Sequence, residues 1–297
     1  MPPMAVLGLC LLLALAGCGS GGDEKPLRVG FMICNSVTET RARFAPLVAH
    51  LAEQLGRRVE PVWLDTAEFD EAIRAGRFDL IHTNSYLYAW FHEAYGFRVL
   101  AGETRGRDGA YSSGTIIAGR DSGVKTLADL KGKRFVFGPP FAPTAYLSPY
   151  WLLLEAGIDP EKDLGYYAFP AGSYKHEKAI FAVVDGAFDA GVGPALDLEV
   201  MEAEGKLMPG DYRVLARGPR VPYCVFSAAA SLPESSFQQI RKALFAVNAE
   251  TVAAVDGEVL KVLKSALVDG FVPLEEKEFD TVREMARRCN LPPYDTY

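Results

Sequence analysis

Hydroxyl and amide side chains gather at four places in this chain where an apolar run gives way to a helical pattern. After Leu27 to Ile33 comes Cys34-Asn35-Ser36-Val37-Thr38, and the run Phe78 to Thr83 leads into Thr83-Asn84-Ser85-Tyr86. After Arg134 to Phe137 comes Gly138-Pro139-Pro140-Phe141-Ala142-Pro143-Thr144-Ala145-Tyr146. After Tyr166 to Phe169 comes Ala171-Gly172-Ser173-Tyr174-Lys175-His176. The start of a helix presents backbone N–H groups without intrahelical partners and the positive end of the helix dipole, which suits an anion. Taken singly, each junction also reads as an ordinary N-cap. Four in one chain point to a shared pocket. His50, His82, His92 and His176 are the only histidines, and no H-E-x-x-H, G-x-S-x-G or P-loop pattern occurs. The expectation is a binding protein and not an enzyme, with no cofactor and no metal.

The elements that must position these junctions follow from periodicity. Leu27 to Ile33, Val59 to Leu64 and Phe78 to Thr83 read as strands. Between them, Phe44, Leu47, Val48, Leu51 and Leu55 form the apolar stripe of a helix stopped by Gly56, and a second helix covers Phe69 to Ala75. Tyr111 to Ala118, Arg134 to Phe137, Tyr166 to Phe169 and Asp189 to Val192 read as further strands. Helices are expected at Leu127 to Leu130, Thr144 to Ala156 and Lys175 to Val184, and from Pro233 onward the chain reads as largely helical. Alternation of this kind predicts an α/β protein with mostly parallel sheets flanked by helices. Ligand sites in such sheets form beyond the carboxyl ends of the strands, where the four junctions lie.

Residues 1–17 carry no charged side chain, and the apolar run Val6 to Ala16 is shorter than the roughly 20 residues that span a bilayer. It fits the h-region of a signal peptide. Leu15-Ala16-Gly17-Cys18 resembles a bacterial lipobox, with Cys18 as the lipidated residue and residues 18–26 as a flexible tether. An ordinary signal peptide is the alternative reading. The remaining length suits two domains. A net charge of -7 argues against a nucleic-acid partner, because binding phosphate backbones needs clustered Lys and Arg. Beyond Cys10 and Cys18 stand Cys34, Cys224 and Cys289, without CxxC spacing, so at most one disulfide can form among them. Cys34 and Cys224 read as small buried hydrophobes, as disulfide partners, or as thiol contacts to a soft ligand such as an arsenic oxyanion.

The chain resembles the phosphate/phosphite/phosphonate-binding components of ABC transporters, within the type II periplasmic binding protein fold. The resemblance runs from Gly30-Phe31 and Arg43-Phe44-Ala45-Pro46-Leu47 through Ala75-Gly76-Arg77-Phe78-Asp79-Leu80, Tyr111-Ser112-Ser113 and Leu127-Ala128-Asp129-Leu130-Lys131-Gly132-Lys133. It continues through Ala156-Gly157-Ile158-Asp159-Pro160, His176 and Ala182-Val183-Val184-Asp185-Gly186 to Gly270-Phe271-Val272-Pro273. It implies two lobes, residues 27–111 with 217–297 and residues 112–216, joined by two crossover strands and closing like a hinge on a small anion. It also implies an exported monomer that serves a permease, with a membrane sensor kinase as the alternative partner and a binding-protein-fold enzyme as a third reading. The phosphonate-binding members grip the anion with a Ser-Thr-Ser-Gly run. Here Ala142-Pro143-Thr144-Ala145 stands in its place, so only the Thr144 hydroxyl is kept, and Pro143 has no N–H to donate. The ligand-binding residues implied are Asn35, Asn84, Ser85, Tyr86, Ser112, Ser113, Thr144, Ala145, Tyr146, His176 and Asp197.

Overall fold

The computed structural model describes residues 25–172 and 175–296. The signal segment, Cys18 and most of the tether, together with Ser173 and Tyr174 of the fourth junction, lie outside the described residues. In chain order the elements are β1 (Leu27–Met32), α1 (Val37–Leu55), β2 (Val59–Leu64), α2 (Phe69–Arg74), β3 (Leu80–Asn84), α3 (Ser85–Tyr95), β4 (Arg98–Thr104) and β5 (Tyr111–Gly119). Then come β6 (Arg134–Val136), α4 (Ser148–Glu155), α5 (Pro160–Asp163), β7 (Tyr166–Ala168), α6 (Lys175–Val184), β8 (Ala190–Val192), α7 (Ala195–Ala203) and β9 (Tyr212–Pro222). The chain ends through β10 (Cys224–Ala228), α8 (Glu234–Ala246), β11 (Val252–Val255), β12 (Glu258–Lys261), α9 (Val262–Ala266), β13 (Gly270–Val272) and α10 (Asp280–Arg288).

Two sheets carry the fold, ordered β13-β4-β10-β3-β1-β2 and β7-β6-β8-β5-β9, and a separate hairpin joins β11 to β12. The α/β class read from periodicity is the one observed. The sheets are mixed where mostly parallel ones were expected. β1 pairs parallel with β2 and β3, and β6 with β7 and β8, whereas β10, β4 and β13 pair antiparallel, as β5 does with β8 and β9. Among the antiparallel members, β4 and β5 carry the chain out of the first sheet, and β9 and β10 carry it back. Long β5 and β9 run side by side, and β10 inserts between β3 and β4. The segment after Pro233 also departs from the largely helical expectation, since β11, β12 and β13 lie within it.

Local chemistry accounts for the ends of the helices near the cleft. Ser36 caps α1 by accepting from the Glu39 N–H at 3.1 Å, and α1 ends at Gly56 in the left-handed region (φ 62°), a conformation that glycine adopts without steric cost. Asn84 caps α3 with its side-chain oxygen, which accepts from the N–H groups of Tyr86 (3.1 Å) and Leu87 (2.9 Å). One core gathers Phe31, Phe44, Leu47, Leu80, Phe226 and Leu244 around the first sheet. A second gathers Ile117, Phe135, Leu153, Ile180 and Val192 around the other.

Candidate ligand-binding site

Strand register brings the polar floor of the site together. Cys224 on β10 lies opposite Asn84 on β3, and Phe226 opposite His82. On the other side of β10, Val225 pairs with Gly102, which sets Glu103 of β4 beside Cys224. Directly opposed residues share a face of a sheet, as do residues two apart along a strand. Cys224, Asn84, His82 and Glu103 therefore project together from three adjacent strands. The His82 ring sits among Phe44, Phe226 and Phe31, with centroid distances of 4.7, 4.8 and 5.8 Å. Its Nε2 approaches Glu103 Oε1 at 2.9 Å, and the two side chains are 1% and 2% exposed.

Above this floor a cavity of about 150 Å³ lies between the two sheets, far more than the ~15 Å³ that admits one water. From the first sheet's side, Asn35, Arg43, Arg105 and Tyr223 join the floor residues. Opposite them stand Thr144, Lys175, His176 and Asp197. Apolar wall comes from Met32, Pro139, Pro143, Leu196, Val200 and Met201. Contacts between the two sides hold the cleft shut. Asn84 Nδ2 donates to the Phe141 carbonyl at 3.1 Å, Lys175 Nζ lies 3.6 Å from Asp65, and Arg107 pairs with Glu199 at 2.9 Å.

The charges in the cleft are uneven in how far they are neutralised. Arg43 donates to the Ala266 carbonyl at 2.9 Å and 3.3 Å, and the Arg105 side chain has no hydrogen bond or ion pair among the described residues. His176 Nδ1 meets Asp197 Oδ2 at 3.1 Å, and both side chains are roughly a quarter exposed. Burial alone would lower the His176 pKa, but the charge of Asp197 and its hydrogen bond outweigh that, and the pKa is raised. Burial would raise the Glu103 pKa, yet His82, Arg43 and Arg105 together hold it below the usual carboxylate range. Burial pushes the Cys34 thiol up and the Cys224 thiol well up, only partly opposed by Arg43 and Arg105. Both are free thiols, as is Cys289.

Of the residues expected from sequence, Asn35, Asn84, Thr144, His176 and Asp197 line the cavity. Six do not, each for a local reason. Ser85 is fully buried at the start of α3, where its N–H donates to the Tyr223 carbonyl. The Tyr86 ring is also fully buried, and its hydroxyl donates to the Pro292 carbonyl. Ser112 and Ser113 are buried in β5 opposite Val221 and Arg220. Ala145 turns into the second core, and its carbonyl accepts from Gly138. Tyr146 packs on Phe137, Tyr150 and Phe169. The wide π-helical turn Pro143–Leu147 explains the last two, since its i+5 bonding rotates the residues after Thr144 away from the cleft. Sequence reasoning missed His82, Glu103, Arg105 and Tyr223 as site residues. Glu103 carried a usable signal, as the one acidic residue of β4.

The cleft sets helix starts on one side against the inner strands β3, β10 and β4 on the other, an arrangement suited to enclosing a small solute. Residues 29–279 match the family model described as "ABC transporter, phosphonate, periplasmic substrate-binding protein", and the chain belongs to that family. The phosphate-import protein PhnD of Mycolicibacterium smegmatis is 24% identical, over 95% of this chain and 94% of its own length. The tetrathionate sensor histidine kinase TtrS of Salmonella typhimurium is 27% identical over 83% of this chain, which spans 43% of the kinase. Among solved structures, PhnD1 of Prochlorococcus marinus in complex with methylphosphonate superposes with a TM-score of 0.70 at 20% identity, covering 90% of this chain and 98% of that one. Membership in a periplasmic family makes this an exported protein with a small ligand and a permease partner. No helix among the described residues is long and apolar enough to cross a membrane.

Proposed function

We propose that the chain captures a small anion with an apolar or soft body in this cleft, closes over it, and delivers it to an ABC permease. The observation that carries the reading is the cavity itself, with Arg43, Arg105, Lys175 and His176 around it and Met32, Leu196, Val200 and Met201 between them. The cationic groups suit the oxyanion head. The apolar wall suits a substituent such as the carbon of an organophosphonate. Pro143 in the anion-gripping turn supports a ligand held more by side-chain charge than by backbone N–H groups. Asn35, Asn84, Thr144 and Asp197 complete the proposed contacts. The two lobes divide at the β5 and β9 crossing, and closure is a population shift driven by contacts made only in the shut form. The lipobox-like Leu15-Ala16-Gly17-Cys18 supports a lipid anchor, with the binding unit acting as a monomer on its tether.

The test is calorimetric titration with methylphosphonate, phosphite, phosphate and tetrathionate. One anion binds, and Arg105→Gln weakens it about tenfold or more, the scale of one charge-assisted hydrogen bond. Binding of none of them, or binding untouched by Arg105→Gln, overturns the reading. The likeness to a sensor kinase favours a second reading, in which the loaded protein signals instead of feeding a permease. Deleting the chain then abolishes ligand-induced transcription and leaves uptake of labelled ligand intact.

A further inference from the structure

Beneath the anion-binding part of the cleft lies a cluster that the proposed function does not use. One ligand atom each from His82, Glu103 and Cys224 lie within 4.8 Å of one another, and all three residues are buried. A buried carboxylate beside a buried imidazole is normally satisfied by an in-line hydrogen bond. Here both ring nitrogens of His82, and Glu103 Oε1, lack a hydrogen-bond partner in the protein, although Nε2 and Oε1 are only 2.9 Å apart. His82 and Glu103 thus meet as a close ion pair, His82 Nδ1 keeps no hydrogen-bond partner, and Cys224 Sγ stands beside them.

From this arrangement we infer that His82, Glu103 and Cys224 form a site for a borderline-soft divalent transition ion of the Zn²⁺ class. One nitrogen, one carboxylate oxygen and one sulfur are the donor types that such an ion takes. Bond lengths of about 2.0–2.3 Å place tetrahedral ligands about 3.5 Å apart, between the 2.9 Å of the His–Glu pair and the 4.8 Å span of the cluster. Small side-chain movements close the set. The ligands come from β3, β4 and β10, whose register fixes them on one face, so the site stands on rigid strands and not on loops. All three residues also line the cavity, which leaves a fourth coordination position open towards it. The ion would add positive charge to the floor of the cleft. The ion can be titrated into the anion-free protein, so the test stands whichever anion, if any, the cleft takes.

Cobalt makes the site visible. The full chain, stripped of metal with a chelator, is titrated with Co²⁺ and followed by absorption. One equivalent gives a thiolate-to-metal charge-transfer band that Cys224→Ser abolishes and Cys289→Ser retains, while Glu103→Gln weakens binding about tenfold or more. Because Cys224→Ser alters a buried position, a second measurement uses the unaltered chain. Zn²⁺ protects Cys224 from alkylation, read by mass spectrometry, more strongly than it protects Cys289. Absence of a band at one equivalent, a band surviving in Cys224→Ser, or equal alkylation of Cys224 with and without Zn²⁺ overturns the inference. Anion titrations repeated in excess chelator separate this result from the fate of the anion-binding proposal.

Discussion

Asn84 holds two jobs at once, and two substitutions pull them apart. Its side-chain oxygen accepts from Tyr86 N–H and Leu87 N–H at the start of α3, while its amide nitrogen reaches across the cleft to the Phe141 carbonyl at 3.1 Å. Asn84→Ala removes the cap from a helix start that is itself buried, at a cost of about 1–2 kcal/mol. It also removes a bond between the two sides of the cleft worth about 1 kcal/mol. The sum is about 2–3 kcal/mol. Asn84→Asp keeps a capping oxygen at the positive end of the helix, so most of the cap survives. It loses the donor and turns a carboxylate towards a carbonyl, which penalises only the shut form. One kcal/mol corresponds to about a fivefold shift between open and shut populations. Urea unfolding followed by circular dichroism reads the stability, and small-angle scattering reads the closure. The Ala variant unfolds at clearly lower urea than the Asp variant, and both scatter as more open molecules. Equal destabilisation by the two substitutions would refute the division of labour, and unchanged scattering in both would refute the closing bond.

Three further outcomes follow from the same geometry. Phe226→Ala removes a fully buried ring packed at 4.8 Å from His82 and 5.9 Å from Phe271, and costs about 3–5 kcal/mol by denaturant unfolding. Gly138→Ala drives a Cβ into the Ala145 methyl and to 3.1 Å from its carbonyl, and the displaced turn costs about 1–3 kcal/mol, read as a lowered midpoint. The His176–Asp197 pair makes stability depend on pH. The folded-state pKa of His176 is raised above its ordinary 6.5, so the folded chain holds the proton longer than the unfolded one. The pair's contribution is full below pH 6.5 and is lost as pH rises through the raised value, since stability falls with pH wherever the folded state binds more protons. Melting temperature against pH flattens over that window in Asp197→Asn. An unchanged slope would reject the pairing.

Periodicity made the first half of the fold legible. The stripe from Phe44 to Leu55 and the strands on either side emerge as α1, β1 and β2, because local apolar spacing alone sets their buried faces. The junction loops are equally legible: Asn35, Asn84, Thr144 and His176 reach the cavity from them, and Asp197 reaches it from α7. The floor was not visible. Glu103 and Cys224 meet only because β10 inserts between β3 and β4, a pairing across more than a hundred residues of sequence that no local pattern records. Tyr86 stays out of the cavity for a related reason, since its hydroxyl is claimed by Pro292, near the far end of the chain. Ser113 lies within its sheet, and a hydroxyl in a paired strand looks in sequence like one beside a cleft. The π-helical turn, invisible to a 3.6-residue period, redirected Ala145 and Tyr146.

The insertion of β10 also governs the order in which the molecule can assemble. β3 and β4 follow one another along the chain, yet neither has its central partner until Cys224–Ala228 has been made. A nascent chain that ends before that strand holds two strands with unpaired edges and a half-covered core, so it cannot close its first sheet. Pairing over such a separation is slow, because the loop entropy is lost before the contacts form. For an exported protein the delay has a use. A first sheet that stays open until β10 is made suits a chain that must cross a membrane before it folds.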